Sequence, residues 1–290
     1  MRVVRALCGG WGVLLLLLES LAADAAVTMV PHTVRQGDWV RVRFVAPEGR
    51  RVVKASLVYA GETLPCFSME GALVALFAVS ARTPPGRATP VLWVRYEDGE
   101  VEKYPQSLLI QSADFPRQSI RMPKSKTHLM APEILEKEKR ILYSAMEAPT
   151  PEPLWEGSFL SPVAGRVSSP FGRTRYVNGR FWSSHAGLDI AAAAGTPVKA
   201  ANSGRVVVAR PLWMRGQTVM IDHGLGVFTL YNHLSRIDVK EGDTVRKGQV
   251  VGLVGSTGFS TGAHLHWELR VHRTPANPAR ALREGILLHE

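Results

Sequence analysis

Three short stretches in the C-terminal half of the chain carry side chains that can hold a metal and move protons. They are His185-Ala-Gly-Leu-Asp189, Tyr231-Asn-His233-Leu-Ser235 and His264-Leu-His266. Zinc takes imidazole nitrogens and carboxylate oxygens, and a hydrolytic zinc site needs three protein donors with a fourth position open to water. His185, Asp189 and one of His264 and His266 make up such a set. The histidines left over, His233 among them, suit proton transfer, because imidazole titrates near neutrality. No H-E-x-x-H stretch offers a glutamate base of that design. Metal-assisted hydrolysis is the chemistry these residue types point to.

The spacing says how each donor must be held. His264 and His266 stand two apart in a strand-like segment, so both project to one side while Leu265 and Trp267 face a core. Glu268 continues the polar side and is a candidate partner for a ligand histidine. His185 and Asp189 stand four apart with Gly187 between them, which suits a turn feeding a strand better than a helix. His233 follows an apolar strand-like run and falls at its end, where a side chain can enter a cleft. His223 precedes Gly224 in a turn and reads as structural. His32 stands alone, and His128, His272 and His289 have no evident partners.

The elements that must position these residues are mostly strands. Residues 26–113 read as an immunoglobulin-like β-sandwich, with strand-like runs at 39–44, 52–58, 72–79 and 91–96 separated by Pro/Gly turns. Residues 114–157 read as a linker, polar and loose at Lys124-Ser-Lys126. It holds a short helix opened by Pro132, with Ile134, Leu135, Ile141 and Leu142 roughly on one stripe, and a Pro-stiffened passage over 149–153. Residues 158–282 read as a second β domain built on tight Gly turns, and 283–290 as a tail. The fold class is therefore all-β. The front sandwich has no chemical cluster and is expected to govern access or positioning. A chain begun near Leu154 is expected to hold the metal and the chemistry by itself.

The amino end reads as a signal peptide over residues 1–25: Arg2 and Arg5, a Leu-rich run to Leu18, and the Ala23-Asp-Ala25 cleavage pattern. The apolar run is shorter than the ~20 residues a membrane-spanning helix needs, so no stable transmembrane anchor is expected. Once that segment is removed Cys66 is the sole cysteine, which excludes an intrachain disulfide framework. The formal net charge of +10 favours polyanionic surroundings. Export sets nucleic acid aside and leaves anionic lipid or an acidic wall polymer.

These stretches, with Ser169-Pro-Phe-Gly-Arg173, Asn178-Gly179, Gly195-Thr-Pro-Val198, Ile221-Asp-His-Gly-Leu-Gly226 and Thr261-Gly-Ala-His-Leu-His-Trp-Glu268, resemble the M23 (lysostaphin-like) zinc metallopeptidase family. The resemblance covers roughly Trp155 to Leu282. It implies antiparallel sheets forming a groove, Zn2+ held by His185, Asp189 and His266, and catalytic roles for His233 and His264 beside the metal. Arg173, Asn178 and Glu268 become candidates for supporting or groove roles. The implied activity is that of a zinc metalloendopeptidase on the peptide stems of peptidoglycan, of the D,D-endopeptidase type. The implied location is the periplasm of a Gram-negative bacterium, or alternatively secretion or an anchor from an uncleaved signal. A regulatory protein partner is possible but unidentified. The chain departs from many Gram-positive members in lacking a tyrosine just before His185, which disfavours a glycine-bridge substrate. Non-enzymatic relatives that activate wall amidases typically lose metal ligands, whereas all five site residues stand here. The Val239–Val251 stretch imitates a lipoyl-carrier hairpin, but Lys247 lies in the wrong register for modification.

Overall fold

The computed structural model describes residues 25–286. The signal-peptide reading of residues 1–25 lies, save for Ala25, outside the described residues, as does the tail beyond residue 286. Among the described residues no helix is long and apolar enough to cross a membrane.

The front of the chain forms two four-stranded sheets. One orders Ala26–Val30, Trp39–Val45, Ala72–Ala78 and Phe67–Met69; the other orders Val101–Pro105, Val91–Tyr96, Val52–Tyr59 and Glu62–Pro65. Facing side chains, among them Val42, Phe44, Phe77, Leu57 and Val94, fill one core. This strand order is that of an immunoglobulin-type sandwich. Ala72–Ala78 is apolar at every position because both of its faces are buried. Ala75 and Phe77 join the sandwich core, while Val74, Leu76 and Ala78 join the core of the C-terminal domain.

That second core lies under a large antiparallel sheet. Its central strands run in the order Leu188–Ala191, Leu265–Val271, Val227–Leu234, Gly216–Gly224 and Gly204–Leu212. A three-stranded sheet of Pro197–Lys199, Val250–Leu253 and Arg236–Ile237 accompanies it. Alternation along Leu265–Val271 puts Leu265, Trp267, Leu269 and Val271 into the core. His266, Glu268 and Arg270 are thereby turned to the opposite face.

The connector is structured along its length rather than loose. Arg117–Ile120 pairs in parallel with Thr174–Val177 of the C-terminal domain. Lys124–Thr127, expected to be polar and loose, forms a helical turn (α1), and Lys126 Nζ donates to the Ser260 carbonyl at 2.7 Å. Pro132–Ala145 is the expected helix (α2), with proline in its first turn. Its Leu142 and Met146 pack on Val208, Leu212, Met220, Phe228 and Leu230, on the sheet face that also carries His266. The passage after it follows the same domain: Thr150 N donates to Asp222 Oδ2 at 2.8 Å and Leu154 N to the His223 carbonyl at 2.7 Å.

A third helix, Pro278–Glu284 (α3), has no counterpart in the sequence reading; its seven residues are too short to display a helical period. It begins on an Asn277 cap whose side chain accepts from Ala279 N at 3.1 Å. It also docks the sandwich. Asn277 N donates to the Gly37 carbonyl at 2.8 Å, and Arg280 donates to the Trp39 carbonyl at 3.1 Å with its guanidinium 4.4 Å above the Trp39 ring.

Candidate metal centre

Strand register assembles the donors. Asp189 and His266 are direct cross-strand partners in the pairing of Leu188–Ala191 with Leu265–Val271. His185 lies just before the first of these strands, where its backbone N–H donates to the Arg173 carbonyl at 2.8 Å. Gly187 makes the approach possible: a Cβ there would stand 2.1 Å from the Trp267 carbonyl oxygen. The His185 ring donates from Nδ1 to the Pro170 carbonyl at 2.7 Å, which leaves Nε2 facing inward. His266 is held the other way round, its Nε2 meeting Glu268 Oε1 at 3.2 Å and its Nδ1 facing inward.

The three inward atoms form a triangle. His185 Nε2 is 3.0 Å from Asp189 Oδ1 and 3.0 Å from His266 Nδ1, and His266 Nδ1 is 2.7 Å from Asp189 Oδ1. Donors bound ~2.0–2.1 Å from a tetrahedral zinc stand roughly 3.3 Å from one another. Two edges of the triangle are therefore about 0.3 Å and the third about 0.6 Å short of a zinc-binding face, which a small opening of the side chains supplies. Two imidazole nitrogens facing each other, each with its second nitrogen committed elsewhere, require a proton or a cation between them. The donor set fits zinc on chemistry, on spacing and on the outer hydrogen bonds that fix each ring.

The charges agree with that fit. Burial alone would raise the Asp189 carboxyl, but hydrogen bonds and charge from His185 and His266 hold it well below the usual carboxylate range. The His185 ring is lowered to about 4, first by burial, with Asp189 opposing and His266 and Arg175 reinforcing. His266 is buried as well, yet two carboxylates, Asp189 and Glu268, outweigh the burial and raise it. Glu268, 2% exposed, lies well below its ordinary value: burial opposes, and Arg270, His266 and Arg215 prevail.

His233 and His264 stand beside the triangle with ring centroids 5.0 Å apart. His233 Nδ1 donates to the Thr257 carbonyl and His264 Nδ1 to the Gly262 carbonyl, each at 2.8 Å, so both Nε2 atoms are free to exchange protons. His264 Nε2 is 3.8 Å from Asp189 Oδ1. Burial, then the neighbouring His264 and His266, lowers His233 to about 3; burial also lowers His264, with Asp189 opposing. His233 has φ of 64°, a left-handed conformation that is uncommon without glycine and that re-aims the side chain at the strand end.

These groups line a groove of roughly 400 Å³, within the range of small-ligand and short-peptide sites. Its further walls include Gln118, Ile120 and Met122 of the connector, Trp182, Met214 and Phe259. No residue of the sandwich lines it, so the expectation that the front domain governs access has no support in the walls of this groove. Of the candidates read from sequence, His185, Asp189, His233, His264, His266 and Glu268 meet here. Arg173 and Asn178 do not. Arg173 precedes its strand and contributes a carbonyl, whereas Arg175, two residues on, turns its guanidinium onto Asp189. Asn178 occupies the hairpin turn at φ 49°, and its amide pairs with the Met122 backbone at 2.9 and 3.1 Å.

Sequence reasoning missed Arg175, Ser169 and Gln118, and the pair of buried Glu138 with part-buried Arg215. Arg175 could have been found from Arg173, since the two share a face if that stretch is extended. Glu138 had a visible signal too: it lies four residues from both Ile134 and Leu142, a carboxylate on the apolar stripe of α2. Two further histidines among the described residues, His223 and His272, stay apart from the centre. His223 bonds the Ser203 carbonyl and Thr229, each at 2.7 Å, and His272 stacks on Phe67 where the two domains meet, 6.5 Å between ring centroids.

Comparison with known proteins agrees with this picture. Residues 183–278 match peptidase family M23. The DD-carboxypeptidase/endopeptidase Mpg of Neisseria meningitidis is 48% identical over 116 residues, covering 40% of this chain and 27% of that protein. The peptidoglycan DD-endopeptidase ShyA of Vibrio cholerae is 44% identical over 118 residues, again 40% of this chain and 27% of that protein. The chain thus spans about a quarter of the length of these relatives. A crystal structure from Pseudomonas aeruginosa assigned to peptidase M23 superposes with a TM-score of 0.62 at 28% identity, over 87% of this chain and 95% of that one. The matched segment holds every histidine and the aspartate that converge in the groove, so the chain carries a peptidase family M23 domain over residues 183–278.

Proposed function

We propose that this protein is an exported zinc metalloendopeptidase that hydrolyses peptide cross-links of peptidoglycan, of the D,D-endopeptidase type, in the periplasm. His185, Asp189 and His266 hold the ion in this reading. The observation that carries it is the inward-facing triangle of two imidazoles and one carboxylate, open to a peptide-sized groove on the side where His233 and His264 stand. When bound there, zinc supplies Lewis acidity toward a peptide carbonyl and lowers the pKa of water.

The chain's own residues do the rest. Arg175 occupies Asp189 Oδ2 and leaves Oδ1 for the ion. His233 and His264 are held neutral by burial at working pH, and each keeps an unprotonated Nε2, so the pair can take the proton of the attacking water and return it to the departing amine. The groove's apolar wall, from Ile120 and Met122 to Trp182 and Phe259, excludes water around the peptide. The substrate class rests on the named activities of the relatives and on the basic charge of the chain.

Digestion of purified peptidoglycan with the fragments identified by mass spectrometry tests the reading. Conversion of cross-linked to uncross-linked stems, abolished by a chelator and restored by zinc, is the expected result. Cleavage confined to the glycan or to the sugar–peptide amide would overturn it.

A further inference from the structure

Both ends of the metal triangle lead back to the connector, a segment outside the matched family residues. On one side Gln118 Oε1 accepts from Ser169 Oγ at 2.9 Å and from Arg175 Nε at 3.1 Å. Arg175 Nη2 in turn donates to Asp189 Oδ2 and, at 3.2 Å, to Ser169 Oγ. On the other side Glu138, 0% exposed on α2, accepts from the backbone N–H groups of Met214 and Arg215 and from Arg215 Nη1 at 2.8 Å. Arg215 Nε lies 3.7 Å from Glu268 Oε1, the same oxygen that meets His266 Nε2 at 3.2 Å. Glu268 Oε2 is occupied by Arg270 at 2.6 and 2.8 Å.

A fully buried carboxylate costs several kcal/mol unless it is paired, so helix packing alone gives no reason for Glu138 on the apolar stripe. Its position has a consequence instead. With Glu138 present, Arg215 is shared between two carboxylates, and Glu268 Oε1 remains available to His266. Without it, the Arg215 guanidinium closes on Glu268 Oε1 and competes with His266. Gln118 acts in parallel. By holding Arg175 Nε, it limits that guanidinium to Asp189 Oδ2 and keeps it off Oδ1.

We propose that the 114–157 connector is a working part of the metal centre, with Gln118 and Glu138 as positioning residues. Gln118 acts through Arg175 on Asp189, and Glu138 acts through Arg215 and Glu268 on His266. The inference rests on the ligand assignment above and replaces the sequence-based expectation that a chain begun near Leu154 is self-sufficient, since such a chain lacks both arms.

The test uses the full chain, stripped of metal and titrated with zinc against a chromogenic chelator, alongside the visible absorption of the cobalt-substituted protein. Glu138→Gln keeps the shape and removes the charge; Gln118→Leu removes the other arm at a half-exposed position. Each should weaken zinc binding by about tenfold or more, the usual effect of losing an outer partner of a ligand, and each should shift the cobalt bands. Glu136→Gln, on the exposed side of the same helix, should change neither. Wild-type zinc affinity and cobalt spectra in folded Glu138→Gln and Gln118→Leu proteins would overturn the proposal, as would an equal loss in Glu136→Gln. If Glu138→Gln does not fold, Gln118→Leu decides alone. Absence of zinc binding by the unsubstituted chain would overturn the ligand assignment and this inference with it. An inability to cut peptidoglycan at unchanged zinc affinity would bear only on the proposed function.

Discussion

His185, Asp189 and His266 differ from His233 and His264 in where the free polar atom points. The first three aim their free atoms at one another within 2.7–3.0 Å. The other two present theirs to the groove. Metal content and turnover should therefore separate. Alanine at His185, Asp189 or His266 should abolish zinc in elemental analysis. Alanine at His233 or His264 should leave about one zinc per chain and lower turnover by about 10²–10⁴-fold, the usual contribution of a general acid–base group. A His264→Ala protein that loses zinc, or turns over normally, contradicts the division. His185, Asp189, His264 and His266 were legible because residue type and a spacing of four or two limit where donors can point; His233 stood out only as the end of an apolar run, and the division of roles came from the family resemblance. Arg175, Gln118 and Glu138 were harder to find, because their contacts span from 14 to 77 residues of chain and no local spacing encodes them.

Strands were legible where alternation or a continuous apolar run was strong. Trp39–Val45, Val52–Tyr59, Ala72–Ala78 and Val91–Tyr96 all lie within a residue of the bounds expected from sequence. The parallel strand Arg117–Ile120 was not, since it exists by pairing with Thr174–Val177 across more than fifty residues. Gly187 shows how tightly the site strands approach. Gly187→Ala should push Leu188–Ala191 off Leu265–Val271, destabilise the fold by about 1–3 kcal/mol or more, and reduce zinc content. Gly262→Ala, where a Cβ meets nothing within 4 Å, should leave the denaturation midpoint unchanged. Equal midpoints for the two variants would mean that strand approach does not limit the residue at 187.

At the scale of the whole molecule, the sandwich, the connector and the peptidase domain are packed onto one another, and the sandwich is docked through α3 and Ala72–Ala78 away from the groove. Buried histidines distant from the metal make this assembly acid-sensitive. Burial lowers His223 to about 4, with the Ser203 carbonyl opposing. Its folded value lies below the unfolded value of about 6.5, so the unfolded chain binds the extra proton. Stability from this residue is full above about pH 6.5 and is lost as pH falls toward 4, by roughly 3 kcal/mol in all. In the presence of a chelator, the melting temperature should fall across that window, and His223→Gln should flatten the fall. Parallel curves for the two proteins would contradict it.

The central claim is hydrolysis of a peptide cross-link by water at a zinc site. Digestion of a purified cross-linked stem-peptide dimer in heavy-oxygen water, followed by mass spectrometry, tests it most directly. The full zinc-loaded chain should yield two monomers, with a single heavy oxygen in the newly formed carboxylate of the donor stem and none elsewhere. An intact dimer under zinc-replete conditions, or monomers without the label in that carboxylate, would contradict the account.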